Sequence, residues 1–179
     1  MKKNMSSVLL LGLLLAGTPA VCGEPTEAES TLTKVGQTAP GFEATTLEGV
    51  KFDLKALKGR VVVVNFFATW CGPCMQEMPR LEKDVWQKFK DKNFTLIAIG
   101  REHSEKELAE FQKTKAFTFP IAPDPKRGIY GQYAKQYIPR NYVINGEGKI
   151  VFQSMGYNEA EFSKMIEVIE KEIGKPTGT

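Results

Sequence analysis

Val61-Val-Val-Val-Asn-Phe-Phe-Ala-Thr-Trp-Cys-Gly-Pro-Cys-Met-Gln-Glu-Met-Pro79 is the stretch from which the fold can be read. Residues 61–64 are four β-branched side chains in a row, and Phe66 and Phe67 extend the apolar run without alternation. That is the pattern of a strand buried on both faces, at the centre of a sheet. Met78, Leu81, Val85 and Phe89 then recur at helical spacing. Cys71 and Cys74, separated by Gly72 and Pro73, therefore fall on a strand-to-helix turn.

This placement has a chemical consequence. A helix N-terminus presents unpaired N–H groups and the positive end of a dipole, and both favour a thiolate over a thiol. Thiolate is the species that attacks disulfides, and in Cys-x-x-Cys pairs at helix starts it forms well below the ordinary thiol pKa of about 8.5. Pro73 suits a first helical turn, where the N–H it lacks would have had no partner. Cys71, nearer the open turn, is expected to attack, and Cys74, one turn later, to resolve the mixed disulfide.

Trp-Cys-Gly-Pro-Cys at 70–74, following a buried strand, resembles the active-site signature of the thioredoxin superfamily. The surrounding chain is similar to the extracytoplasmic TlpA/ResA-like branch. Asn65 stands where that branch has Asn and cytoplasmic thioredoxins have a buried Asp, and Glu77 and Pro79 match the Glu and Pro after the second cysteine. The resemblance covers residues 36 to 174. It implies a thioredoxin-like α/β fold, a mixed central sheet flanked by helices, with an N-terminal β-hairpin extension and an extra helix between the two halves. It also implies a cis-proline loop facing the cysteines, and Pro139, after Ile138, matches its position. Trp70, Gly72, Pro73, Ile138 and Pro139 are then the expected substrate-binding residues.

The implied activity is thiol-disulfide exchange with protein substrates, in a branch commonly made of reductants fed by a membrane-bound donor and often linked to cytochrome c maturation. No cofactor is expected beyond the redox-active Cys71–Cys74 disulfide, and no metal. A structural zinc site wants about four ligands, and the chain offers three cysteines and the single His103. An inert bridge across two residues would close too short a loop to stabilise much. Two rival functions remain: a thiol peroxidase, which would place a threonine where Ala68 stands, and a binding module in which the disulfide only stiffens a docking surface.

Residues 1–22 read as an export signal: Lys2-Lys3, an apolar core from Val8 to Ala16, and the small-residue end Gly17-Thr18-Pro19-Ala20. The apolar run is too short to span a bilayer. A lipoprotein signal is the alternative, with Cys22 as the lipid anchor. Periplasm or cell envelope is the expected location. Lys2 and Lys3 take two of the 24 Lys and Arg, leaving 22 against 21 Asp and Glu. So even a balance gives no electrostatic case for nucleic acid.

Residues 23–34, rich in Glu, Thr and Ser, are expected to be a flexible tether, followed by one domain over 35–174 and a tail over 175–179. Residues 42–46 and 50–54, joined by Glu48-Gly49, read as the hairpin. A helix over 73–90, a strand over 94–100 and a helix opened by the Ser104/Glu107 capping box follow. A loop is expected around Phe119 to Pro125, then a short helix carrying Tyr130, Tyr133 and Tyr137 as packing residues. Strands over 141–145 and 149–154 precede a final helix over 160–173, capped by Asn158 and stopped by Gly174.

Three polar residues carry open readings. Glu77, three positions beyond Cys74, shares its side of the helix and either handles the Cys74 proton or is an ordinary first-turn acid in solvent. His103, the single histidine, reads either as a general base or proton shuttle or as a surface loop residue before a helix cap, and the second is favoured since nothing in the spacing brings it to Cys71. Arg140, where Thr is common after the proline, either favours acidic partners or is simply solvated.

Overall fold

The structure, a computed structural model, describes residues 26–175. The expected export signal, Cys22 and residues 176–179 of the tail lie outside the described residues. In chain order the elements are α1 (Glu27–Ser30), β1 (Glu43–Thr45), β2 (Lys51–Asp53), β3 (Val61–Phe67), α2 (Gly72–Arg80), α3 (Gln87–Phe89), β4 (Phe94–Arg101), α4 (Glu105–Lys115), β5 (Ile121–Asp124), α5 (Tyr130–Tyr133), β6 (Arg140–Ile144), β7 (Ile150–Met155) and α6 (Glu159–Ile173). The five-stranded sheet runs β5-β4-β3-β6-β7, and the β1–β2 hairpin stands apart. β3, β4 and β5 are parallel, whereas β6 and β7 are antiparallel to their neighbours. This is the expected thioredoxin-like architecture.

All seven residues of β3 are buried. Side chains alternate across a strand, so Val61, Val63 and Phe67 pack with Met78, Leu81, Phe162 and Met165 of the helical layer formed by α2 and α6. Val62, Val64 and Phe66 pack on the opposite face with Phe42, Phe52, Tyr130, Tyr133 and Tyr142. Both layers are apolar, which is why the strand sequence shows no alternation. The tyrosines at 130 and 133 are packing residues, as expected.

Three expectations change. The single helix over 73–90 is interrupted by a widened turn at Leu81–Trp86, because Pro79 cannot donate to the preceding turn. The Leu81 N–H reaches the carbonyls of both Glu77 and Met78. The loop expected after Phe119 contains β5, an edge strand paired with β4, where Pro123 is tolerated because one side of an edge needs no donor.

The third change concerns the tether. Residues 26–34 dock: Ser30 and Thr33 are buried, the Leu32 N–H donates to the Tyr133 carbonyl at 2.9 Å, and the Lys135 N–H donates to the Ser30 carbonyl at 2.8 Å. The segment is anchored by hydrogen bonds rather than by apolar burial, so its polar composition was a poor guide. The folded unit thus reaches back to Thr26, whose side chain caps α1 in a capping box with Glu29.

At the sheet's other side, Ser104 and Glu107 form the expected capping box of α4. Gly100 lets that helix approach: a Cβ there would lie 2.5 Å from Leu108 Cδ1. Asn158 caps α6 through the Glu161 N–H at 2.9 Å, with Phe162, Met165 and Ile169 buried.

The Phe66 ring sits 5.3–5.9 Å, centroid to centroid, from Tyr130, Tyr133 and Tyr142. Phe66→Ala would empty the middle of that cluster, and a loss of about 3–5 kcal/mol is expected. Urea denaturation of the oxidised protein measures it, and a loss below about 1 kcal/mol would mean that the tyrosine layer collapses freely into the gap.

Candidate active site

β3 ends and α2 begins within five residues, and this short passage positions the sulfurs. Cys71 is the N-cap of α2, and its Sγ accepts the Cys74 N–H at 3.2 Å. The two cysteines are joined as a disulfide, with Cα atoms 5.2 Å apart, inside the usual range. Cys74 is wholly buried, while 6% of Cys71 remains exposed. Cys71 therefore keeps what little access the pair has.

Across from the pair, the Ile138–Pro139 peptide is cis, and the Ile138 carbonyl oxygen lies 3.7 Å from Cys71 Sγ. A cavity of about 390 Å³ is lined by Trp70, Cys71, Gly72, Pro73, Arg101, Tyr137 and Ile138. The structure thus gathers the sequence candidates Trp70, Gly72, Pro73 and Ile138 around the disulfide. Pro139 is different: it sits behind Ile138, buried, and its carbonyl accepts the Gly156 N–H at 2.9 Å. Trp70 is 64% exposed, an apolar ledge at the rim, with the Arg101 guanidinium 5.7 Å from its ring centroid and 5.0 Å from that of Tyr130.

Glu77 does not face solvent. It is buried on the inner side of α2, where its carboxylate accepts the Asn65 amide at 3.0 Å and the Asn141 amide at 2.5 Å. Asn65 also donates to Asn141 Oδ1 at 2.8 Å. The two asparagines are register partners on β3 and β6, so they project to the same face of the sheet. Burial pushes the Glu77 carboxyl up to about 7, against the lowering effect of the Asn141 and Asn65 hydrogen bonds. A carboxyl that changes charge near neutrality thus sits one helical turn beyond Cys74.

His103 is also buried rather than on the surface. Its Nε2 accepts the Thr69 N–H at 3.0 Å, which brings it two residues from Cys71. The path runs through the parallel pairing that sets the end of β4 beside the end of β3, a relation that sequence spacing does not express. Thr69 Oγ1 lies 3.4 Å from the same nitrogen, and Ala68 accepts the Cys71 N–H through its carbonyl.

Arg140 fits neither expectation: it is 1% exposed and bonded to protein groups. Sequence reading missed Asn141, Arg101 and Tyr137 as well. Asn141 carried a usable signal, since a polar residue next to Tyr-Val-Ile in a strand buried on both faces requires a buried partner.

The fold and the site have known counterparts. A family profile described as the AhpC/TSA family matches residues 35–153. The thiol-disulfide oxidoreductase ResA of Bacillus cereus is 34% identical over 163 residues, which cover 90% of this chain and 94% of that protein. The thioredoxin-like protein YneN of Bacillus subtilis is 42% identical over 118 residues, covering 64% of this chain and 68% of its own. Among solved structures, a solution structure of a Bacteroides thetaiotaomicron protein superposes with a TM-score of 0.78 at 38% identity, covering 82% of this chain and 94% of that one. The crystal structure of a thiol:disulfide interchange protein of the thioredoxin family from Chlorobium tepidum gives 0.65 at 26% identity, covering 79% and 99%.

Glu77 ties stability to pH. Its folded pKa of about 7 exceeds the ordinary 4.5, so the unfolded chain binds fewer protons in between and stability falls as pH rises across that window. The contribution is full below the unfolded value and levels off above the folded one, a difference on the order of 3 kcal/mol. Glu77→Gln is expected to remove this slope. Urea midpoints of both oxidised proteins from about pH 4 to 9 measure it, and curves that stay parallel throughout would refute the assignment.

Proposed function

The chain belongs to the AhpC/TSA family and is a thiol-disulfide oxidoreductase of thioredoxin-like fold, and from that premise we propose that it works outside the cytoplasm as a reductant of protein disulfides. The observation that carries the reading is the Cys71–Cys74 disulfide, held at the N-terminus of α2 with only Cys71 retaining any exposure and the Ile138 carbonyl facing its sulfur.

In the reduced protein, Cys71 is the attacking thiolate, stabilised by the Cys74 N–H and the N-terminal end of α2. It attacks one sulfur of a substrate disulfide. The substrate S–S bond breaks, a mixed disulfide forms, and the other substrate sulfur leaves as a thiolate that takes a proton. Cys74 then attacks Cys71 Sγ and expels the second substrate thiolate. Two electrons have passed to the substrate, and the protein is left with the bridge seen in the structure.

Cys74 must lose its proton to attack, and no solvent reaches it. Glu77, buried nearby with a pKa of about 7, is the group we assign to take that proton, because a base serves best when its pKa lies near the working pH. Trp70, Gly72, Pro73 and Ile138 form the floor on which an extended chain lies, and Pro139 fixes the backbone at Ile138. Such a contact is largely to main chain, so it tolerates varied sequences. The disulfide itself carries the electrons, and no further cofactor is required.

Export is supported by the Lys2-Lys3 start and the apolar core from Val8 to Ala16, with Cys22 available for a lipid anchor. Outside the cytoplasm a reductant needs re-reduction, and a membrane-bound dithiol donor meets that need. A peroxidase reading lacks its hydroxyl: Ala68 stands in the relevant position, and Thr69 Oγ1 lies against His103.

Equilibration of the purified protein with glutathione tests the direction of flow. A potential near the −270 mV typical of thioredoxin is expected, and one near about −120 mV would make the protein an oxidant. Cys74→Ser is expected to accumulate a mixed disulfide through Cys71, whereas Cys71→Ser should abolish insulin reduction. Mass spectrometry of the trapped adduct identifies the sulfur, and an adduct on Cys74 in the Cys71→Ser protein would reverse the assigned roles.

A further inference from the structure

Arg140 is a buried cation without a carboxylate among its described hydrogen-bond partners. It follows Pro139 and opens β6, opposite Phe66 on β3 and Met155 on β7. Alternation along β6 therefore sends Asn141 to the Glu77 side and Arg140 to the tyrosine side. There Nε donates to the carbonyls of Gln136 and Tyr137 at 3.1 and 3.3 Å, and Nη2 donates to the Gln136 carbonyl at 2.9 Å. Nη1 donates to Thr31 Oγ1 at 2.7 Å, and Nη2 also reaches Ser30 Oγ at 2.8 Å and Met155 Sδ at 3.4 Å.

One guanidinium thus joins two pieces of chain about 110 residues apart in sequence. One is the loop that lines the disulfide cavity at Tyr137 and Ile138. The other is the docked segment Thr26 to Lys34. The two are also joined along the backbone, by the Thr31–Ala134 bridge and by the hydrogen bonds between Leu32 and Tyr133 and between Lys135 and Ser30. Tyr137 has a φ of +69°, a conformation a bulky residue keeps only when its surroundings hold it. Its carbonyl is held twice, by Arg140 Nε and by the Tyr130 hydroxyl at 2.8 Å.

We propose that Arg140 is a positioning residue for the substrate loop, and that the segment Thr26–Lys34 is the strap against which it holds Tyr137 and Ile138 over Cys71. This rests on the reading above, in which that loop receives the substrate chain. A fork of five donors can span two carbonyls and two hydroxyls at once, and a lysine ammonium cannot. Hydroxyl and carbonyl partners leave the geometry fixed without neutralising the charge. The strap is then part of the substrate site, although none of its residues lines the cavity.

The consequence is selective. A substrate that lies along the loop depends on where Tyr137 and Ile138 sit, whereas a small disulfide needs only to reach Cys71 through the cavity. Full-length wild type, Arg140→Met, Arg140→Lys and the double variant Ser30→Ala/Thr31→Val are assayed with insulin and with 2-hydroxyethyl disulfide. Arg140→Met is expected to raise KM for insulin about tenfold, since a displaced binding element far from the chemistry can cost up to about a hundredfold. Its kcat/KM for 2-hydroxyethyl disulfide should stay within about twofold. Arg140→Lys should fail to restore the insulin KM, and the double variant should raise it about threefold while leaving Arg140 bound to the loop carbonyls.

Parallel loss with both probes in every variant, or an unchanged insulin KM in the double variant, would overturn the proposal. If Arg140→Met does not fold, the double variant decides. Wild type that turns over neither probe removes the oxidoreductase reading itself, and the proposal with it, whereas wild type active on both with no split between them removes the proposal alone.

Discussion

The whole arrangement depends on β3 being buried along both faces and ending one short turn before α2. Seven buried residues fix the strand in the sheet centre, and α2 is fixed against it by Met78 and Leu81. The turn between them is only four residues long, Ala68 to Cys71. Cys71 is therefore delivered to the helix N-terminus, with the Cys74 N–H on its sulfur. The asymmetry of the pair follows from the same geometry: the N-cap lies outside the helix and keeps some access, while the residue three positions later faces into the layer between helix and sheet.

β6 carries the second half of the site by strand alternation alone. Consecutive residues Arg140 and Asn141 point to opposite faces, and the register with β3 puts Asn141 opposite Asn65 and Arg140 opposite Phe66. One face receives the amide pair that holds Glu77, and the other receives the guanidinium that holds the carbonyls of Gln136 and Tyr137. A slip of one residue in this register would exchange the two faces and leave a cation against the carboxylate's amides. The buried polar groups thus depend on the strand pairing, and the strand pairing in turn is specified by the apolar residues around them.

The central strand, the cysteine turn, the hairpin and the caps at Ser104 and Asn158 were legible because each is set by local pattern. The cis-proline loop was legible through resemblance. What escaped was set by long-range pairing. His103 meets Thr69 because β3 and β4 are parallel neighbours, and Arg140 meets Ser30 and Thr31 through a docked segment whose composition suggested no docking at all. Hydrogen bonds anchor that segment, and a Ser-Thr-Glu composition looks the same whether its hydroxyls find protein partners or water. β5 escaped for a simpler reason: four residues with an internal proline give too short a pattern to separate an edge strand from a loop.

Of the buried ionisable groups around the site, Glu77 and Arg140 are treated differently by the fold. Around Glu77 the protein supplies two amide donors, enough to hold a carboxylate in place but not enough to offset its burial, so the group titrates near neutrality. Around Arg140 it supplies carbonyls, hydroxyls and a thioether, a set that accepts hydrogen bonds from a side chain whose charge is permanent. A group that must follow the proton of a buried cysteine has to change its own charge within the cycle. A group that holds a loop in place must not. Under the proposed cycle, the Glu77 carboxyl and the Arg140 guanidinium would meet these opposite requirements.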